Sequence, residues 1–322
     1  MHLQQLIQSC AEQLEQAKVA YGHGTLNAID EATWLVLWQL KLPLDLDLTL
    51  DTVQLNQQVA EIQPAFDVTK ISAAQLDACQ ALVSKRIQTR KPAAYLTQEA
   101  WLQGIPFYVD ERSIVPRSFI AELIADGAFD GWLSETSHHF LDLCTGNGSL
   151  AVLCAMAYPD IEVTGADIST EALAVAKINV EKHHLANRIQ LVQSDGLKGL
   201  TQKFDCIVCN PPYVCEASMQ ALPEEFKAEP ILALAGGPDG MDFVRQLLID
   251  LPDRMNEKAI LVLEIGNERE HFEKAFPRLE AIWLDTSAGE DQVLLLTKEA
   301  LTQASNKSRR KCLRHQDLAP SL

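Results

Sequence analysis

Long apolar runs are absent from this 322-residue chain. A helix that crosses a bilayer needs about 20 consecutive apolar residues, and no stretch here reaches that length, so a membrane partner is not expected. The N-terminal stretch does not read as a secretory leader either. Leu3, Leu6, Ile7, Cys10 and Leu14 recur at helical spacing with Gln and Glu between them, which reads as an amphipathic helix. Basic charge is scarce: 27 Lys and Arg stand against 44 Asp and Glu, a formal net charge of -17. Proteins that grip a nucleic-acid backbone normally carry a basic face. This balance repels phosphates and attracts a basic protein, although surface acid also serves plain solubility. A disulfide framework is missing too, because the 8 cysteines are scattered. Cys206 and Cys209 form a CxxC inside an apolar run that reads as a strand, where an odd offset puts them on opposite faces. They are expected to be small buried hydrophobes, with no metal between them. Free thiols point to a reducing, cytoplasmic setting.

What is present is ordinary globular material, 47% hydrophobic and 22% charged. Its length suggests two domains of about 100–200 residues each. Residues 1–100 read as helices over 4–21, 30–40 (opened by Asp30), 54–62 and 72–89, without a phosphate loop or catalytic constellation. Residues 101–117 read as a connector in which 107–109 and 113–115 alternate as a small hairpin. From 118 to 304 the strand candidates are 140–144, 162–167, 189–193, 204–209, 260–265, 281–285 and 292–297, with helical stretches separating the first five. That alternation predicts an α/β fold with a parallel sheet covered on both faces. The last two strands are joined by turn residues and should pair antiparallel. The basic tail, 305–322, lacks apolar periodicity and is expected to be disordered.

The first strand of that series runs into Asp142-Leu-Cys-Thr-Gly146-Asn-Gly148-Ser, and a helix over 150–157 follows. Glycines there allow a tight turn and close approach of a ligand to the main chain. Ligands of open α/β sheets bind at the C-terminal ends of the strands, where this loop lies. Gly146, Gly148 and Ala151 also satisfy the dinucleotide pattern GxGxxG/A, and Asp167 at the end of the second strand can bind ribose hydroxyls. Both features fit NAD as well as S-adenosylmethionine. Asp142 favours the latter: a carboxylate beneath the loop is poorly placed beside a pyrophosphate but suits ammonium and sulfonium groups. Asp195, before Gly196, is placed to accept a bond from an adenine amino group, although Asp-Gly is also common turn chemistry.

The fourth strand ends in Asn210-Pro211-Pro212-Tyr213, the most specific signal in the chain. Two prolines after a polar residue make a rigid corner. A carboxamide nitrogen is a poor nucleophile because its lone pair is delocalised into the carbonyl. Two fixed acceptors, the Asn210 side-chain oxygen and the Pro211 carbonyl, would orient such a nitrogen toward a methyl donor. Proline supplies a carbonyl without a competing N–H, and Tyr213 would cover the planar amide. In-line placement and exclusion of water then supply the catalysis, without a strong base.

These motifs, with LAGGPDG at 234–240, LEIGN at 263–267, YGHGT at 21–25 and PAAYLT at 92–97, resemble the HemK-type protein-glutamine methyltransferases over nearly the whole chain. The stretch FYVDERSIVPRSFIAELI at 107–124 looks most like the branch acting on the third large-subunit ribosomal protein; the release-factor branch is the alternative. The resemblance implies a class I S-adenosylmethionine-dependent fold, with a seven-stranded, mostly parallel sheet ending in an antiparallel hairpin. A helical substrate domain precedes it. Carried over by motif, the cofactor contacts are Asp142, Cys144, Thr145, Gly146, Asn147, Gly148, Asp167, Ile168, Asp195, Gly196 and Asn210. Asn210, Pro211, Pro212 and Tyr213 bind the substrate glutamine. A basic ribosomal protein suits the acidic charge. Three competitors remain open: a DNA adenine methyltransferase, which would need a basic face to extrude a base; an NAD-linked oxidoreductase, which leaves 210–213 unexplained; and a non-enzymatic assembly module. His23, between two glycines, reads as a structural turn. Arg117 reads equally as a lid over the cofactor or a partner of Glu122.

Overall fold

The computed structural model describes residues 1–304; the basic tail lies outside the described residues. The apolar spacing of the first helix is realised as α1 (Leu3–Gln16), whose buried side is Leu3, Leu6, Ile7, Cys10 and Leu14. It ends short of residue 21 because Lys18 turns left-handed, with φ 52. The next helix, α2 (Ala28–Leu40), begins earlier than expected because Asn27, rather than Asp30, is its cap and accepts the Asp30 N–H. Asp51 caps α3 (Thr52–Ile62), and Ser72 with Gln75 forms a capping box on α4 (Ala73–Thr89). A short α5 (Ala93–Thr97) follows. The apolar faces of these helices share one core, with Leu6, Leu14, Leu35, Leu37, Val59 and Val83 at its centre.

The hairpin lies earlier than the alternation at 107–115 suggested. It consists of β1 (Ala100–Leu102) and β2 (Ile105–Phe107). Gln103 and Gly104 both take positive φ, 50 and 72, which is the backbone a two-residue hairpin turn requires. Residues 113–115 form no strand.

The chain divides into two compact units. One comprises Met1–Ala100, Val109–Glu111 and Leu222–Glu229, and the other the remaining described residues. In the second, α6 (Ile120–Ala125) leads into β3 (His139–Leu143), α7 (Ser149–Ala157), β4 (Glu162–Asp167), α8 (Thr170–Lys182), β5 (Ile189–Gln193) and β6 (Phe204–Cys209). After β6 come α9 (Glu216–Ala221), α10 (Glu224–Lys227, within the first unit), α11 (Asp242–Asp250), β7 (Met255–Glu264), α12 (Arg269–Ala275), β8 (Ile282–Thr286) and β9 (Gly289–Thr297). The seven strands are ordered β5-β4-β3-β6-β7-β9-β8. Neighbours from β5 to β7 are parallel, while β9 is antiparallel to both β7 and β8. Apolar clusters cover both faces, and Cys206 and Cys209 fall in different ones, as their odd spacing requires.

One expected helix is missing: residues 194–203, between β5 and β6, are turns. The Ser194 hydroxyl donates to the Gly196 carbonyl at 2.6 Å and accepts the Gly199 N–H at 2.9 Å. Such local side-chain bonds compete with helix formation. The strand order reverses between β3 and β6, and the C-terminal ends of those two strands flank the crevice where ligands of such sheets bind.

Candidate active site

The loop after β3 is a run of left-handed residues. Cys144, Gly146 and Gly148 have φ of 62, 54 and 80. At Gly148 a Cβ would lie 3.1 Å from the Ala176 Cβ, so glycine there lets α7 approach α8. Beneath the loop Asp142 is buried. Its Oδ2 accepts the Thr145 hydroxyl at 2.5 Å and the Ala151 N–H at 2.9 Å, while its Oδ1 has no hydrogen-bond partner. Burial pushes its carboxyl up to about 7 against the two bonds that hold it down. Asn147 Oδ1 accepts the Ser149 N–H, and its Nδ2 is likewise unpartnered. Asp167 reaches across from β4: Oδ2 accepts the Gly146 N–H and Oδ1 the Ser169 N–H, both at 2.9 Å. Burial also raises its pKa.

Above these ends lies a cavity of about 240 Å³. Of the residues singled out in the sequence, Cys144, Gly146, Asp167, Ile168, Asp195, Gly196, Asn210 and Pro212 line it. Arg112, Ser113, Leu232 and Phe243 close its sides. Asp142, Thr145, Asn147, Gly148, Pro211 and Tyr213 are not among the lining residues; Asp142 is buried beneath the loop, and Thr145, Asn147 and Gly148 are buried within it. Asp195 is exposed and pairs with Lys198 at 2.6 Å.

The corner after β6 is clamped from two sides. The Val214 N–H donates to the Leu234 carbonyl, and the Gly236 N–H to the Val214 carbonyl, both at 2.9 Å. A Cβ on Gly236 would lie 2.7 Å from the Tyr213 Cα, and one on Gly240 would lie 2.2 Å from the Tyr213 carbonyl oxygen. A Cβ on Gly266 would lie 2.5 Å from the Tyr213 ring. The LAGGPDG and LEIGN segments therefore meet on this tyrosine. Its hydroxyl donates to Glu264 Oε1 at 3.3 Å. The other oxygen of Glu264 accepts the Ser118 hydroxyl at 2.6 Å and the Phe119 N–H at 2.9 Å. Glu264 is buried, and desolvation raises its pKa. Glu264 belongs to the LEIGN motif, and a carboxylate closing the apolar run ILVLE is the one signal of its role in the sequence. Arg117 Nη1 donates to the Val115 carbonyl, and Glu122 Oε1 accepts the Ser287 N–H.

A second polar cluster lies within the first unit. Arg86 is fully buried. Its Nε donates to Glu31 Oε1 at 2.8 Å, Nη1 to Glu225 Oε1 at 3.3 Å and Nη2 to the Ala20 carbonyl at 2.9 Å. Arg90 lies 2.8 Å from the same Glu225 oxygen. His23 sits in a turn closed by Gly22 and Thr25. It faces Glu229 at 3.4 Å and packs on the Phe226 ring. Thus 222–229, which follows the Asn210 corner in sequence, is held by charges of the helical unit. Nothing in the sequence pattern signalled this.

The methyltransferase small domain family matches residues 130–237. The ribosomal protein uL3 glutamine methyltransferase of Bordetella pertussis is 47% identical over 93% of this chain and 96% of its own. Its counterpart in Burkholderia pseudomallei is 44% identical over 90% and 92%, and that of Neisseria gonorrhoeae 43% over 93% and 95%. The chain belongs to the ribosomal protein uL3 glutamine methyltransferase family. It is a class I methyltransferase whose methyl donor is S-adenosylmethionine, as Asp142 and the resemblance implied. Among the described residues no helix is long and apolar enough to cross a membrane.

Proposed function

We propose that this protein transfers a methyl group from S-adenosylmethionine to the side-chain amide nitrogen of a glutamine in ribosomal protein uL3. The observation that carries this reading is that Asn210 and Pro212 line the same cavity as Gly146 and Asp167. A methyl donor and an amide would therefore share one enclosed space. The unpaired Asp142 oxygen and the unpaired Asn147 amide beneath the loop suit a ligand bearing both an ammonium and a carboxylate. Asp167 supplies an acceptor for ribose hydroxyls, and Asp195 one for the adenine amino group. The cofactor, when bound, supplies an electrophilic methyl group.

The chain's own residues do the rest. Asn210 Oδ1 and the Pro211 carbonyl accept the two amide N–H groups and aim the nitrogen lone pair. Tyr213, clamped by glycines and tied to Glu264, closes over the amide plane and excludes water. Once the N–C bond has replaced the methyl–sulfur bond, whose electron pair stays on the sulfur, the surplus N–H proton would be strongly acidic and would leave through these acceptors to solvent, so no dedicated base is needed. We assign residues 1–100 to substrate recognition and 118–304 to catalysis, with 101–117 between them. The excess acid lies mainly after Ala100, which suits a basic protein substrate rather than a nucleic acid. The setting is cytoplasmic, where ribosomal proteins are made.

The test is transfer of labelled methyl from the cofactor to purified uL3, a release factor and duplex DNA. Label is expected on a uL3 glutamine alone. Asn210→Ala should abolish transfer while calorimetry shows cofactor binding retained. Label on DNA, or an active Asn210→Ala protein, would refute the reading.

A further inference from the structure

Just past the Tyr213 corner, Cys215, Glu268 and His271 converge, with one ligand atom of each within 4.8 Å of the others. They come from two separate segments: Cys215 precedes α9, while Glu268 and His271 are spaced i,i+3 at the start of α12. Cys215 and Glu268 are buried, and the His271 side chain is 42% exposed. The backbone around Cys215 is fixed, because the Val214 N–H donates to Leu234 and the Glu216 N–H to Gly237. Glu268 Oε2 lies 2.5 Å from His271 Nδ1, Oε1 lies 3.5 Å from the Cys215 N–H, and the Cys215 thiol faces Ser218 Oγ at 3.3 Å. Hydrogen bonding accounts for the carboxylate against the imidazole. A buried thiol whose sulfur lies within 4.8 Å of both completes the donor set of a zinc site.

We propose that Cys215, Glu268 and His271 bind a thiophilic divalent cation of the zinc class, leaving a fourth position open on the exposed side of His271. Sulfur and nitrogen donors select against magnesium and calcium, which prefer oxygen. On binding, the thiol loses its proton to solvent, and thiolate and carboxylate together balance the ion's charge. Bonds of ~2.3 Å to sulfur and ~2.0–2.1 Å to nitrogen set tetrahedral ligand separations of roughly 3.3–3.6 Å, so the sulfur must draw in by about 1 Å while Glu268 Oε2 and His271 Nδ1 part from their 2.5 Å contact. The half-exposed His271 ring can make that movement. The ion takes no part in methyl transfer; it ties the segment after Tyr213 to α12 and stiffens the corner that carries Asn210.

Cobalt(II) chloride is the probe, added to the full-length protein after chelation and reduction. One equivalent should bind with a thiolate-to-cobalt charge-transfer band in the near ultraviolet, and zinc should displace it. Cys215→Ser should remove the band, and His271→Ala, at a half-exposed position, should weaken binding at least tenfold. Circular dichroism checks that both variants fold, and if Cys215→Ser does not, His271→Ala decides alone. No band in the natural protein overturns the proposal. So does a band that survives Cys215→Ser, which would place the ion on another thiol such as Cys312, or unchanged affinity in His271→Ala.

Discussion

Asp142 carries the clearest conflict at the scale of a single residue. Its carboxyl sits in a low-dielectric pocket with one oxygen accepting two hydrogen bonds and the other unpartnered. Desolvation dominates, the Thr145 and Ala151 bonds oppose it, the nearby Asp167 adds to it, and the pKa rises to about 7. In the unfolded chain the same group titrates near ~3.9. Between those values the folded protein keeps a proton that the unfolded chain has lost, so this residue makes stability fall as pH rises through that window. Asp142→Asn cannot titrate. Urea unfolding of both proteins across the window should show their stabilities converging or crossing, with a slope difference approaching ~1.4 kcal/mol per pH unit. Parallel profiles would mean that Asp142 is ionised when folded. Asp142 and Asn210 were legible in the sequence because a polar residue closing an apolar strand has few purely structural uses. Arg86 was not, since its partners Glu31 and Glu225 lie 55 and 139 residues away.

Elements whose signal is local were readable, and those decided by a distant partner were not. The bounds of β4, β5 and β6 agree with the apolar runs that suggested them. The hairpin and the helix-free 194–203 segment escaped because turn chemistry overrode periodicity at Gln103–Gly104 and at Ser194. The role of LAGGPDG was also hidden until the fold placed it on Tyr213. A methyl group at Gly240 would collide with the Tyr213 carbonyl, at a φ of +76 that disfavours any side chain. Gly240→Ala should therefore displace the corner by roughly 1 Å and slow methyl transfer about 100-fold. Calorimetric affinity for the cofactor should change far less, because all of its proposed cradle except Asn210 lies on other loops; an equal loss of both would point to general collapse. Helices α2, α4 and α10 meet on a different device, the buried Arg86 with two carboxylates. Removing one member of such a set strands the charge of the others, so Arg86→Met should cost about 3–5 kcal/mol in chemical denaturation.

At the scale of the whole molecule, charge is the property the sequence displays and no single site explains. A net charge of -17 disfavours compactness through self-repulsion, yet it speeds encounter with a cationic partner. Side-chain chemistry at Asn210 cannot distinguish one glutamine from another. On the proposed function, selection of a basic ribosomal protein would fall to the long-range field together with the helical unit. Fields of this kind act over a Debye length, about 10 Å at ~0.1 M salt, and collapse as salt rises. Steady-state methylation of uL3 should show kcat/KM falling roughly tenfold between ~0.05 and ~0.3 M salt, with kcat nearly constant, because steering changes encounter rather than chemistry. A short uncharged peptide carrying the target glutamine separates the effects: its kcat/KM should hardly respond to salt. If uL3 and the peptide respond alike, the acidic surface serves solubility and recognition rests on contacts alone.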